Sequence, residues 1–130
     1  MRTSALVILL VASAAPAHAA SMQVTGKLGY LSEWEIAATV TEHASAGKKE
    51  FSGPVIVRHV GVCAPGRPVE MSGEIRYQIT GWTTSRMKAT LLIDGIECGF
   101  EAKLSTAYDG VMACPQWHGV PLSLSIKAAD

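Results

Sequence analysis

The chain has 130 residues, with eleven Lys and Arg against eleven Asp and Glu, and a formal net charge of zero with His neutral. That length suits one domain with a single core, and the balanced charge gives no basic footprint for nucleic acid or an anionic membrane surface. The three cysteines, Cys63, Cys98 and Cys114, include no Cys-x-x-Cys pair, which argues against a dithiol redox enzyme.

Residues 1–19 read as a signal peptide. Arg2 precedes an apolar run from Ala5 to Ala15, too short to span a bilayer. Pro16 ends the run, and Ala17-His18-Ala19 places small residues where a signal peptidase reads them. Cleavage before Ala20 leaves a single β domain over residues 20–130, periplasmic or secreted. The leader itself is expected to stand apart from the core as a loose helix. An exported chain is expected to oxidise a cysteine pair, leaving the third as a buried thiol or bonded to another chain.

Beyond the leader, Gly and Pro recur between segments that alternate apolar and polar residues, and no segment keeps a helical period. Eight strands are predicted, at 22–30, 33–42, 54–62, 70–80, 86–93, 96–104, 108–114 and 120–127. In the second, Trp34, Ile36, Ala38 and Val40 alternate with Glu33, Glu35 and Thr41, which puts both carboxylates on the outer face. The third is apolar on both parities except Arg58 and His59 and reads as a strand covered on both sides. In the fourth, Ile75, Tyr77 and Ile79 face inward.

Asp94-Gly95 sets the register of the next pair, because a two-residue hairpin turn needs positive φ at both positions. Leu91 then faces Cys98, Ala89 faces Phe100, Met87 faces Ala102, and Lys88 falls opposite Glu101 on the other face. Folding the following stretch about Thr106 sets Phe100 against Met112, Lys103 against Asp109, and Cys98 against Cys114. Two cysteines directly opposed on antiparallel strands have the separation a disulfide needs.

Short links between sequential strands favour an antiparallel meander, and closing it removes exposed edges. The fold expected is an all-β, closed or partly closed barrel; a two-sheet β-sandwich is the alternative. The architecture resembles, at the level of fold, that of small secreted carrier and inhibitor barrels. Turns near Ser32, Gly66, Gly95 and Trp117 share one end, called the first end below. Loops around Ala46, Thr83 and Thr106 share the second. Small inward residues (Ala38, Ala89, Ala102, Gly110) leave room for a cavity, and a barrel of eight strands is about the size that is either filled or holds one small ligand.

Chemistry-bearing residues are sparse. His59, Cys63, Arg67, Cys114, Trp117 and His118 fall near the first end, and Pro65-Gly66 reads as a type II turn holding Arg67 at the rim. His59, Cys63, Cys114 and His118 have the types for a tetrahedral zinc site, although oxidation of Cys114 competes with it. Trp82, Tyr108, His43, Lys48 and Lys49 fall near the second end. No Gly-x-Ser-x-Gly turn or phosphate loop is present, and no metal or cofactor is expected. The function expected is binding of a small apolar ligand, not catalysis, with Arg67, Trp117, His118, Trp82 and Tyr108 as candidate contacts. The alternative is a protein-interaction module, an inhibitor or envelope accessory protein, working through the loops at one end.

Overall fold

The computed structural model describes residues 21–45, 48–60, 69–80 and 85–128. They form eight strands: β1 (Ser21–Leu28), β2 (Trp34–Ser45), β3 (Lys48–His59), β4 (Glu70–Thr80), β5 (Arg86–Ile93), β6 (Ile96–Leu104), β7 (Tyr108–Ala113) and β8 (Val120–Ala128). Each strand pairs antiparallel with the next, and β8 returns to β1, so the meander closes into a barrel instead of splitting into two sheets. No helix occurs among the described residues. The leader, Cys63, Arg67 and Trp82 lie outside them.

Alternation decides which residues enter the barrel. Val24, Ile36, Val40, Val55, Val57, Ile75, Tyr77, Leu91, Phe100 and Leu124 are fully buried at its middle. Their outward neighbours are mostly polar, with cross-strand pairs such as Lys27–Glu35 at 3.6 Å and Arg58–Glu70 at 3.4 Å. Exposed pairs of this kind contribute about 0.2–1 kcal/mol each, so closure rests on the interior. The β5–β6 register is the expected one, Leu91 against Cys98 and Lys88 against Glu101. Asp94 and Gly95 have φ of 51° and 76°, as the two-residue turn requires. The β6–β7 pairing sets Phe100 against Met112 and Lys103 against Asp109.

Two strands differ from the expectation. β3 begins at Lys48 instead of residue 54, and β2 runs on to Ser45. Pro54 has no N–H to donate, and the β2–β3 partners run to Ala38 and Val55 and resume at Thr41 and Ser52. Gly53 lies in that gap. A side chain there would overlap the Thr39 carbonyl, so the two backbones meet at a point only glycine allows. Nor is β3 covered on both sides: Val55 and Val57 are buried, but Ile56 is 42% exposed on the outer wall.

The strands are strongly tilted. A path that leaves β4 at Ile79 and follows direct partners passes Met87, Ala102, Gly110, Leu122, Leu28, Trp34 and His59. It returns directly before β4 at Val69, whose carbonyl accepts the His59 N–H, ten residues from where the path began. Such a stagger widens a barrel for a given number of strands. The buried middle fills the interior, and the width left over appears as an open cavity at each end.

Candidate functional site

The first end is assembled around the β1–β2 turn, which bonds to the start of β8 and to the end of β3. In the β1–β2 turn, Ser32 N–H donates to the Gly29 carbonyl at 3.2 Å, and Leu31 N–H donates to Glu33 Oε2 at 2.9 Å. Glu33 is therefore no solvated outer-face carboxylate. It caps the turn, is half-buried, and lines the cavity beneath. Two contacts tie this turn to the start of β8: Gly29 N–H to the Pro121 carbonyl at 3.0 Å, and Tyr30 Oη to the Gly119 carbonyl at 3.1 Å. A third, Val60 N–H to the Glu33 carbonyl at 2.8 Å, ties it to the end of β3.

The disulfide expected from the register is present. Cys98 and Cys114 are bonded across β6 and the end of β7, their Cα atoms 4.3 Å apart. Directly after it, Cys114 and Trp117 exchange two backbone hydrogen bonds, 2.7 Å and 3.3 Å, which close the turn over Pro115 and Gln116. The bond thus fixes the base of the loop that carries Trp117 and His118.

These turns surround a cavity of about 530 Å³. Its walls are Leu28, Val57, Met71, Ile93, Met112 and Val120, inward positions toward this end of their strands, with the disulfide beside them. Tyr30, Trp34, Asp94, Trp117 and His118 form the mouth. Trp34 meets His59 edge to face, ring centroids 4.7 Å apart. The volume falls in the ordinary range for a small-molecule site, about 300–1,000 Å³. Leu31, Tyr30 and Trp117 are the most exposed large apolar residues of this end, at 88%, 72% and 59%.

A second cavity of about 610 Å³ opens at the other end. Met22, Phe51, Ile79, Leu104, Leu124 and Ile126 line it, with Tyr108, Lys49 and Lys127 among them. Beneath it, Phe51 stacks on Tyr77, ring centroids 5.1 Å apart. Burial pushes the Tyr77 phenol up to about 12, and the neighbouring Tyr108 adds to the shift.

Of the candidate contacts read from the sequence, Trp117 and His118 meet at the first cavity, while Tyr108 lines the second. Arg67 and Trp82 lie outside the described residues. For the zinc set, Cys114 is bonded to Cys98, Cys63 is outside the described residues, and no group of three or more His, Cys, Asp or Glu stands together among the described ones. Sequence reasoning missed Tyr30, Met71 and Val120. Their signal was present: each sits at or beside a strand terminus at the first end. No described helix is long and apolar enough to cross a membrane. No protein-family model matches the chain, nor does any curated protein or solved structure.

Proposed function

We propose that this chain is an exported binding protein that holds a small apolar ligand in the cavity at the first end and carries out no catalysis. In this reading residues 1–19 are removed and residues 20–130 act in the periplasm or outside the cell. A disulfide-bonded pair of cysteines supports that placement. The observation that carries the reading is the cavity itself: about 530 Å³ with apolar walls, under turns cross-tied by backbone hydrogen bonds. Such a site is preorganised, so a ligand pays little to order it.

The test is a titration with a neutral apolar fluorophore, N-phenyl-1-naphthylamine, against the disulfide-bonded protein. Val120→Trp, which fills the first cavity, is expected to abolish binding, and Ala107→Trp at the second end to preserve it. No binding by the parent protein, or the reverse pattern in the variants, overturns the proposal.

Exposed Leu31, Tyr30 and Trp117 favour a second reading, in which the same end docks on a protein partner. Large exposed apolar groups gathered at one rim mark interaction surfaces. Leu31→Glu, at a residue that does not line the cavity, would then abolish capture of an envelope protein while leaving the fluorophore bound.

A further inference from the structure

The zero net charge of the chain conceals a separation along the barrel. Among the described residues, Glu33, Glu35, Glu70, Glu74, Asp94 and Glu97 stand toward the first end, against Lys27 and Arg58. Toward the second end stand Lys49, Arg86, Lys103 and Lys127, against Glu42 and Asp109, while Glu50 and Arg76 pair at 3.1 Å and offset. Lys88 and Glu101 face each other in register and offset. The buried middle, with the Phe51–Tyr77 stack at its second-end side, separates the two cavities.

We propose that the second cavity is a site for an amphiphilic anion, a single apolar chain ending in a carboxylate, with Lys127 and Lys49 at the head group. The inference is independent of the reading given to the first end. The walls suit an apolar tail: Met22, Phe51, Ile79, Leu104, Leu124 and Ile126 contribute only carbon and thioether surface. Polar groups stand among them, with Lys49, Thr106, Ser125 and Lys127 lining the same opening. A neutral oil would gain nothing from the two ammonium groups, and a cationic amphiphile would be repelled by them.

Lys127 has no ion pair among the described residues, and Lys49 has only Glu42 at 4.0 Å, the limit of such a contact. Both lysines can therefore turn toward a bound carboxylate at little cost. Their methylene stems also extend the apolar wall outward. The tail enters first and the head stays in solvent, because burying a carboxylate beside the Tyr77 phenol would cost more than two surface lysines return.

The test compares three ligands sharing one tail, dodecanoate, dodecanol and dodecyltrimethylammonium, each below its micelle concentration, by calorimetric titration of the disulfide-bonded protein. Dodecanoate is expected to bind one to one and about three- to tenfold more tightly than dodecanol, with the ammonium compound weakest. Lys127→Glu is expected to weaken dodecanoate about fivefold and leave dodecanol unchanged. Glu42→Gln, which frees Lys49, is expected to strengthen dodecanoate. Ala107→Trp is expected to block dodecanoate, whereas Val120→Trp at the first end leaves dodecanoate binding intact. No dodecanoate binding, equal affinity for dodecanoate and dodecanol, or loss through Val120→Trp alone overturns the site. If Ala107→Trp fails to fold, the Lys127→Glu and Glu42→Gln responses decide it.

Discussion

Tyr77 lies flat on Phe51, the rings 15° from parallel and directly opposed across β3 and β4, and this stack carries a phenol oxygen into an apolar interior. Tyr77 is 1% exposed, and its hydroxyl has no hydrogen-bond partner among the described residues. The ring is favourable there and the hydroxyl is not: an unpaired buried polar group costs about 1–3 kcal/mol. Tyr77→Phe keeps the stack and removes the oxygen. It is expected to raise stability by about 1–2 kcal/mol in urea unfolding with an unchanged m value. A destabilised variant would show that the hydroxyl is satisfied in solution.

The same burial predicts an alkaline limit. The folded protein holds the Tyr77 proton up to about pH 12, above the ordinary 10.0, while the unfolded chain releases it near 10. The native state therefore binds the extra proton in that window, and stability falls as pH rises through it. Below pH 10 the contribution is complete. The loss between 10 and 12 is roughly 2–3 kcal/mol. Unfolding curves at pH 9, 10 and 11 should fall progressively further below those of Tyr77→Phe, which has no phenol to ionise. A constant gap between the two proteins would sink the assignment.

Gly110 and Gly99 offer a matched pair on neighbouring strands. Gly110 faces Ala102 inside the barrel, and a β-carbon there would overlap the Glu101 carbonyl and lie 3.0 Å from the Ala102 Cα. Backbone cannot yield as a side-chain tip can, so Gly110→Ala is expected to cost about 1–3 kcal/mol or more. Gly99 is on the outer face with nothing within 4 Å. Gly99→Ala is expected to stabilise by about 0.4–1 kcal/mol, by restricting the unfolded chain. Thermal melts of both variants against the parent test the contrast, and equal shifts would refute it.

These glycines also show what the sequence could carry. Asp94-Gly95 is a local signal, and period-two alternation propagates the register it sets. Leu91 against Cys98, and Cys98 against Cys114, were therefore legible from residue order alone. Pro54 is ambiguous in the same terms. It reads as a strand start because it lacks a donor, and only the adjacent Gly53 and the tilt of β2 let β3 run past it. Glu33 was misplaced for a related reason. Alternation assigns a face but does not show where a strand gives way to a turn, and there the carboxylate bonds to Leu31 instead of pointing out. The cavities were not legible, because the width of the interior depends on stagger summed around all eight strands. The meander did place the Ser32 and Trp117 turns at one end, but not the hydrogen bond from Tyr30 to the Gly119 carbonyl that ties them together.

Asp109 gives a test on the outer wall. Ser123 stands opposite it in the β7–β8 register, and Ser105 Oγ donates to its Oδ2 at 2.8 Å. Hydrogen bonds from Ser123 first and Ser105 second hold its carboxyl below the ordinary carboxylate range. Depressed in the folded state, the group favours folding above its unfolded value, about 3.9, and that benefit is lost as pH falls through the folded value. The side chain is solvent-screened, so the effect is clearest by carboxyl-carbon NMR titration. Ser123→Ala is expected to raise the Asp109 pKa more than Ser105→Ala does. The opposite order would reverse the ranking of the two donors.

The disulfide has two separable effects. Closing a loop of sixteen residues restricts the unfolded chain by about 3 kcal/mol, and the paired replacement Cys98→Ala, Cys114→Ala should lose that much in urea unfolding. The bond also fixes the strand end from which Cys114 and Trp117 exchange hydrogen bonds. Without it, the Trp117 loop is expected to fluctuate at temperatures where the barrel is still folded. Amide exchange at Trp117 and His118 should accelerate, while exchange at Phe100 and Leu124, in the buried middle, slows or quickens only with global stability. If the first cavity binds as proposed, the neutral fluorophore loses affinity in the double variant, with the second end unaffected. Unchanged exchange at Trp117 would mean that the contacts from Tyr30 to Gly119 and from Gly29 to Pro121 hold the rim unaided.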